Sequence, residues 1–131
     1  MSGLLSSVGA ITMFVADHER AKSFYEQAFD AEIVYEDEDA IAFKFESIIV
    51  NLLVTREALE LIGPAVVAEQ EAGSRFQLTI NVLDTDAVCE ELARRGVTLL
   101  NGPIDRPWGL RTAAFADPDG HICEVAAEIP S

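Results

Sequence analysis

A chain of 131 residues, half of them apolar, is long enough to bury one sizeable core and too short for two ordinary domains, so a single domain spanning 1–131 is expected. Its formal charge of −14 is shared by both halves. A duplex or an anionic membrane, whose affinity rests on Lys and Arg neutralising phosphates, is therefore excluded as a partner. The same field would attract a cationic small molecule, although its plainer role is to keep a small domain soluble.

The N-terminal "MSGLLSSVGAITMF" lacks a basic region and a long apolar run, so neither a signal peptide nor a membrane span is expected, and a cytoplasmic location follows by elimination. Next, "ITMFVADHERAKSFYEQAFDAEIVY" opens with a short β-rich run and continues into a helix. Asp17 is placed as its N-cap, and Ala21, Phe24, Tyr25, Ala28 and Phe29 recur at the spacing of one helical face. With no glycine after "QAF", Asp30 is expected to supply the left-handed turn that ends the helix. Strand-like runs follow at Ala31–Tyr35, Ile41–Phe45 and Ile48–Val54, with "EDED" at 36–39 as a solvated hairpin turn. The stretch "TREALELIGPAVVAEQEAGSR" is broken at Gly63-Pro64 and Gly73 and reads as a connector with a short helix before Gly63.

"QLTINVLDTDAVCEELARRGVTLL" then repeats the plan of the first half. A strand leads to Asp84 as a cap and to a helix with Val88, Cys89, Leu92 and Ala93 on one side; Arg94 and Arg95 suit its C-terminal dipole, and Gly96 ends it. Runs at Val97–Leu100, Arg111–Ala116 and His121–Ala127 complete a second βαβββ series. The boundaries are module one at about 8–54, connector at about 55–75 and module two at about 76–128. Cys89 and Cys123 fall in a helix and a strand, without the spacing of a disulfide scaffold or zinc site, so buried free thiols are expected.

Strand alternation sorts the side chains. Gln77, Thr79 and Asn81 form a polar row backed by Leu78, Ile80 and Val82; in the first half Ala10, Thr12 and Phe14 are backed by Ile11, Met13 and Val15. By the same rule Asn51 lies with Ile49 and Leu53, and Glu124 with Ile122 and Ala126.

The paired βαβββ chain, with "FVADHERAKSFYEQAF" early and "PWGLRTAAFADPDGHICEVA" late, resembles the vicinal-oxygen-chelate superfamily of glyoxalase I, extradiol dioxygenases, fosfomycin-resistance enzymes and bleomycin-resistance proteins. The likeness covers almost the whole chain, and the D-P-D-G turn joined to the repeat makes it specific. It implies an α+β fold in which two βαβββ modules form a half-open mixed β-barrel. Metal enzymes of this family take one ligand from the first and one from the last strand of each module. Those positions match Ala10, Asn51, Gln77 and Glu124 here, the first-strand pair being found seven residues before each capping aspartate.

Alanine has no donor atom and an amide binds first-row metals weakly, so Glu124 is the one strong ligand and Gln77 an acceptable one. His18, at a helix start, and His121, after the D-P-D-G turn, match no ligand position. A member without a catalytic metal or other cofactor is the expectation. "RPWGLR" resembles the loop with which bleomycin-resistance proteins hold a planar, cationic drug in a groove shared by two subunits, which implies a homodimer with Trp108 as a stacking face. Trp108, Glu124, Gln77, Asn51, Phe14, Arg111, Phe115 and Phe43 are the candidate ligand-binding residues. Phe43, Phe45 and Phe115 each fit a core position better, and Arg111 fits pairing with a surplus acid better than holding an anionic ligand.

Two functions stand. One is a non-catalytic protein, with antibiotics among its candidate ligands, that sequesters a small planar or cationic compound. The other is a glyoxalase-like metal-dependent lyase or isomerase with Glu124 as ligand or base, its metal shell completed across a dimer.

Overall fold

The computed structural model describes residues 4–130. These divide into two compact units on either side of the Ala68–Glu69 bond, within the connector. No helix among the described residues is long and apolar enough to cross a membrane.

In the first unit, β1 (Ala10–Val15) leads to α1 (His18–Ala28), followed by β2 (Glu32–Glu36), β3 (Ala40–Lys44) and β4 (Ile49–Val54). The four strands form one mixed sheet in the order β1-β4-β3-β2, with β1 parallel to β4 and the other pairs antiparallel. Asp17 caps α1 by accepting from the Arg20 amide at 3.0 Å. The expected left-handed Asp30 is not found. Phe29 leaves the helix in an extended conformation with its N–H on the Tyr25 carbonyl, so the turn needs no residue at positive φ. Tyr25 sits at the centre of this core: its ring lies 5.4 Å from Phe29 and 5.8 Å from Phe43, and its hydroxyl meets Met13 Sδ at 3.9 Å. Val50, Leu52 and Val54 of β4 are buried with it, while Ile49, Asn51 and Leu53 are half-buried on the opposite face. The 36–39 turn is closed by Asp37, whose Oδ1 accepts from the amides of Asp39 and Ala40.

The connector carries the short helix α2 (Ala58–Ile62) before Gly63, flanked by single 3-10 turns at Thr55–Glu57 and Gln70–Ala72.

The second unit repeats the first, with β5 (Gln77–Asn81), α3 (Thr85–Arg94), β6 (Asn101–Asp105), β7 (Leu110–Ala116) and β8 (Ile122–Glu128) in the order β5-β8-β7-β6. Asp84 caps α3 by accepting from the Ala87 amide at 3.1 Å. The expected helix stripe is corrected at both ends. Ala93 is exposed, and Thr85 is buried instead because its hydroxyl donates to the Arg111 carbonyl at 2.6 Å.

The third strand also differs. Val97–Leu100 is not a strand of the sheet: the Val97 amide returns to the Leu92 carbonyl and its side chain enters the core, and the Leu100 amide reaches the Ala114 carbonyl just before β6 begins. β6 therefore contains Gly102 and Pro103. Pro103 is tolerated because β6 is an edge strand and its register shifts between Asn101 and Ile104.

Candidate functional site

Cross-strand partners share a sheet face, so the register assigns each candidate residue to a side. In the first unit Thr12 pairs with Asn51, and Asn51 with Ala42. The Asn51 Nδ2 donates to Thr12 Oγ1 at 3.3 Å. Phe14 lies half-buried on the same face, two residues along β1. In the second unit Thr79 pairs with Glu124, and its hydroxyl donates to Glu124 Oε1 at 3.0 Å. Gln77 lies exposed one pair further along this face. The two modules thus build the same motif, a first-strand threonine bonded to a last-strand polar residue. Thr79 was legible as a member of a polar row and Thr12 as a member of the matching row; their service as partners to Asn51 and Glu124 depends on a register that alternation alone does not set.

Three candidates belong to the opposite, helix-covered faces. Phe43 pairs with Val50 and packs on Tyr25, while Phe115 pairs with Cys123; both rings are 0% exposed and offer no surface to a ligand. Arg111 stands on the α3 side of β7. It donates from Nε to Asp86 and from Nη1 to Asp105, each at 2.9 Å, and these bonds hold its guanidinium pKa above the usual value. Its charge is thereby committed to two carboxylates.

Trp108 forms the tip of the β6–β7 turn and is 66% exposed. The turn is closed by Gly109 N–H on the Arg106 carbonyl and by Arg106 N–H on the Leu110 carbonyl, with Gly109 at φ +92. Leu110 is paired with Glu128 and Ala114 with Glu124. Four strand residues, roughly 13 Å, therefore separate the level of Glu124 from the start of the turn that carries Trp108.

Both thiols are buried. Burial pushes the Cys123 thiol up to about 12, and it raises that of Cys89, so neither is a ready nucleophile or metal ligand. His121 donates from Nδ1 to Asp117 Oδ2 at 2.8 Å, and its ring centroid lies 6.0 Å from that of Phe76.

The chain matches the model of the glyoxalase/bleomycin resistance protein/dioxygenase superfamily over residues 7–125. It belongs to that superfamily. Solved structures repeat the fold. One is a glyoxalase/bleomycin resistance protein/dioxygenase from Nocardioides, at 21% identity and TM-score 0.85, covering 95% of this chain and 85% of that one. Another is a glyoxalase-related enzyme from Fulvimarina pelagi, at 26% identity and TM-score 0.80, covering 95% and 89%. A protein of unknown function from Agrobacterium tumefaciens matches at 27% identity and TM-score 0.75, covering 98% of both chains.

Against the metal positions of the superfamily, the donor set is poor. Ala10 has no donor atom, the Asn51 amide is turned to Thr12, Gln77 is a neutral amide, and Glu124 alone is anionic. Two amides, a methyl group and one carboxylate do not fit a tightly held zinc, nickel or iron ion.

Proposed function

We propose that this superfamily member binds and sequesters a small planar, cationic compound without a catalytic metal, working as a cytoplasmic homodimer. The observation that carries this reading is the chemistry of the four sheet positions: one carboxylate, held by Thr79, and no second strong ligand. A carboxylate fixed on a sheet face supplies a directed negative charge, and the threonine bond keeps it from swinging away. The exposed indole of Trp108 supplies a flat face that attracts cations. Trp108 stands about four residues of β7 from the level of Glu124, a spacing that a groove shared by two subunits would bridge.

Titration of cationic aromatic drugs against the fluorescence of the single tryptophan tests the proposal. Binding should quench the emission, and Trp108→Leu should weaken affinity roughly 5- to 30-fold, about 1–2 kcal/mol. Glu124→Gln should cost binding of the cation and leave that of a neutral isostere unchanged. A panel that neither quenches nor raises the melting temperature sinks the idea. So does a stoichiometric metal that copurifies and is lost on Glu124→Gln, which would favour the lyase or isomerase instead.

A further inference from the structure

His18 opens α1 with its side chain only 13% exposed. The ring is held from one side, Nδ1 lying 2.8 Å from Glu19 Oε2. Its other nitrogen, Nε2, is buried and has no hydrogen-bond partner; Glu36 Oε2, at the end of β2, lies 3.9 Å from it. Nε2 and the Glu36 carboxylate therefore face each other across 3.9 Å with no hydrogen bond between them. A cation placed between them would be met by the ring nitrogen and the carboxylate together. Lys22, one turn along α1, already holds that carboxylate, its Nζ 3.0 Å from Glu36 Oε2.

We propose that His18 and Glu36 form a site for a divalent cation of borderline softness, zinc or a similar first-row ion. It is separate from the four superfamily sheet positions and uses none of their residues. Glu19 acts as a positioning residue, in the carboxylate–histidine–metal arrangement that fixes the tautomer and ring plane. Ligand atoms of the three groups already lie within 4.8 Å of one another. Two ligands about 2.0 Å from a tetrahedral ion stand roughly 3.3 Å apart, so Glu36 must close on His18 by under an ångström. Its side chain is about one-third exposed and has the freedom to do so. Imidazole with carboxylate selects zinc, nickel or copper over magnesium or calcium. Lys22 is the cation that the metal displaces from Glu36.

The test is zinc titration of the chelator-treated 131-residue chain by calorimetry, with the imidazole signals of the two histidines followed by NMR. One zinc per chain should bind, moving the His18 signals and leaving those of His121 in place. Binding should disappear in His18→Ala and in Glu36→Gln, weaken about 10- to 100-fold in Glu19→Gln, and tighten in Lys22→Met, each variant being checked for native circular dichroism. No binding, binding that survives His18→Ala, movement of His121 in place of His18, or weaker binding in Lys22→Met would each overturn the proposal. Zinc lost only in Glu124→Gln would overturn it and also the metal-free reading of the sheet face, whereas zinc lost in His18→Ala and kept in Glu124→Gln leaves that reading standing.

Discussion

Asp117 carries a carboxylate with 0% of its side chain exposed, and three donors converge on it: the amides of Asp119 and His121 at 2.9 Å each and the His121 ring at 2.8 Å. The D-P-D-G turn that marks the superfamily in sequence is, physically, a buried anion wrapped by its own loop. Replacing Asp117 by alanine strands those donors, and a loss of about 3 kcal/mol or more in chemical denaturation is expected. His121 answers the same charge. Burial pushes its pKa down, but the hydrogen bond to Asp117 and the charges of Asp117 and Asp119 outweigh burial, and the net shift is upward. A raised folded-state pKa means that the imidazolium stabilises the fold fully below the unfolded value, about 6.5, and that this contribution is lost as pH rises through the folded value. Urea midpoints of the wild type and His121→Asn should therefore differ most near about pH 5.5 and converge in mildly alkaline buffer. A gap that widens with pH contradicts the assignment. Neither role is readable from the residues alone, because a histidine after a turn acquires its partner only once the turn buries the aspartate.

Capping sets where the long helices begin, and the two modules use the same device at Asp17 and Asp84. Alanine at either position should cost about 1 kcal/mol, with similar values in both modules, measured by thermal or urea unfolding. These starts were legible in sequence because a cap and a helical stripe are local signals. β6 was not. Its Gly102 takes φ +93 and lies so close to β7 that a Cβ would stand 2.5 Å from the Thr112 carbonyl oxygen and 2.6 Å from the Ala113 Cα. Gly102→Ala adds a clash with backbone to the left-handed strain that Gly109→Ala, at φ +92 with nothing near its Cβ, also carries, so destabilisation upwards of about 2 kcal/mol and beyond that of Gly109→Ala is expected. Near-equal costs at the two glycines would mean that the β6–β7 approach is looser than described. The candidate site divides in the same way. Alternation sets Asn51, Gln77 and Glu124 on one side of their strands and the family resemblance singles them out, while Phe43 and Phe115 fall on the helix sides and His18 meets Glu36 only because the fold brings the start of α1 to the end of β2. Alternation separates two faces but does not say which face a helix covers, and contacts between elements have no period to read.

At the scale of the molecule, the repeat made the architecture legible: one βαβββ series is ambiguous, but two with caps at matching places specify a superfamily fold. Function is less constrained, since the same scaffold carries enzymes and binding proteins and the decision rests on a few side chains. The net charge of −14 adds a term that no single residue carries. Several of the basic side chains are engaged with carboxylates, Lys22 with Glu36, Arg56 with Asp39, Arg94 and Arg95 with Glu91, and Arg111 with Asp86 and Asp105, so the field around the molecule is dominated by surplus acid. A cationic ligand is then drawn in by the whole chain as well as by Glu124. Raising the salt shortens the screening length from about 30 Å at 0.01 M to about 3 Å at 1 M, which silences the distant charges and leaves stacking on Trp108 intact. The affinity of a planar cation, read from tryptophan quenching, should therefore fall on the order of tenfold across that range, while a neutral isostere of the same shape changes little. Glu124→Gln should lower the affinity at every salt concentration and preserve most of the slope, because the remaining acids still supply the field. If the slope vanished with that one substitution, the attraction would be local to the sheet face and the surplus charge would serve solubility alone.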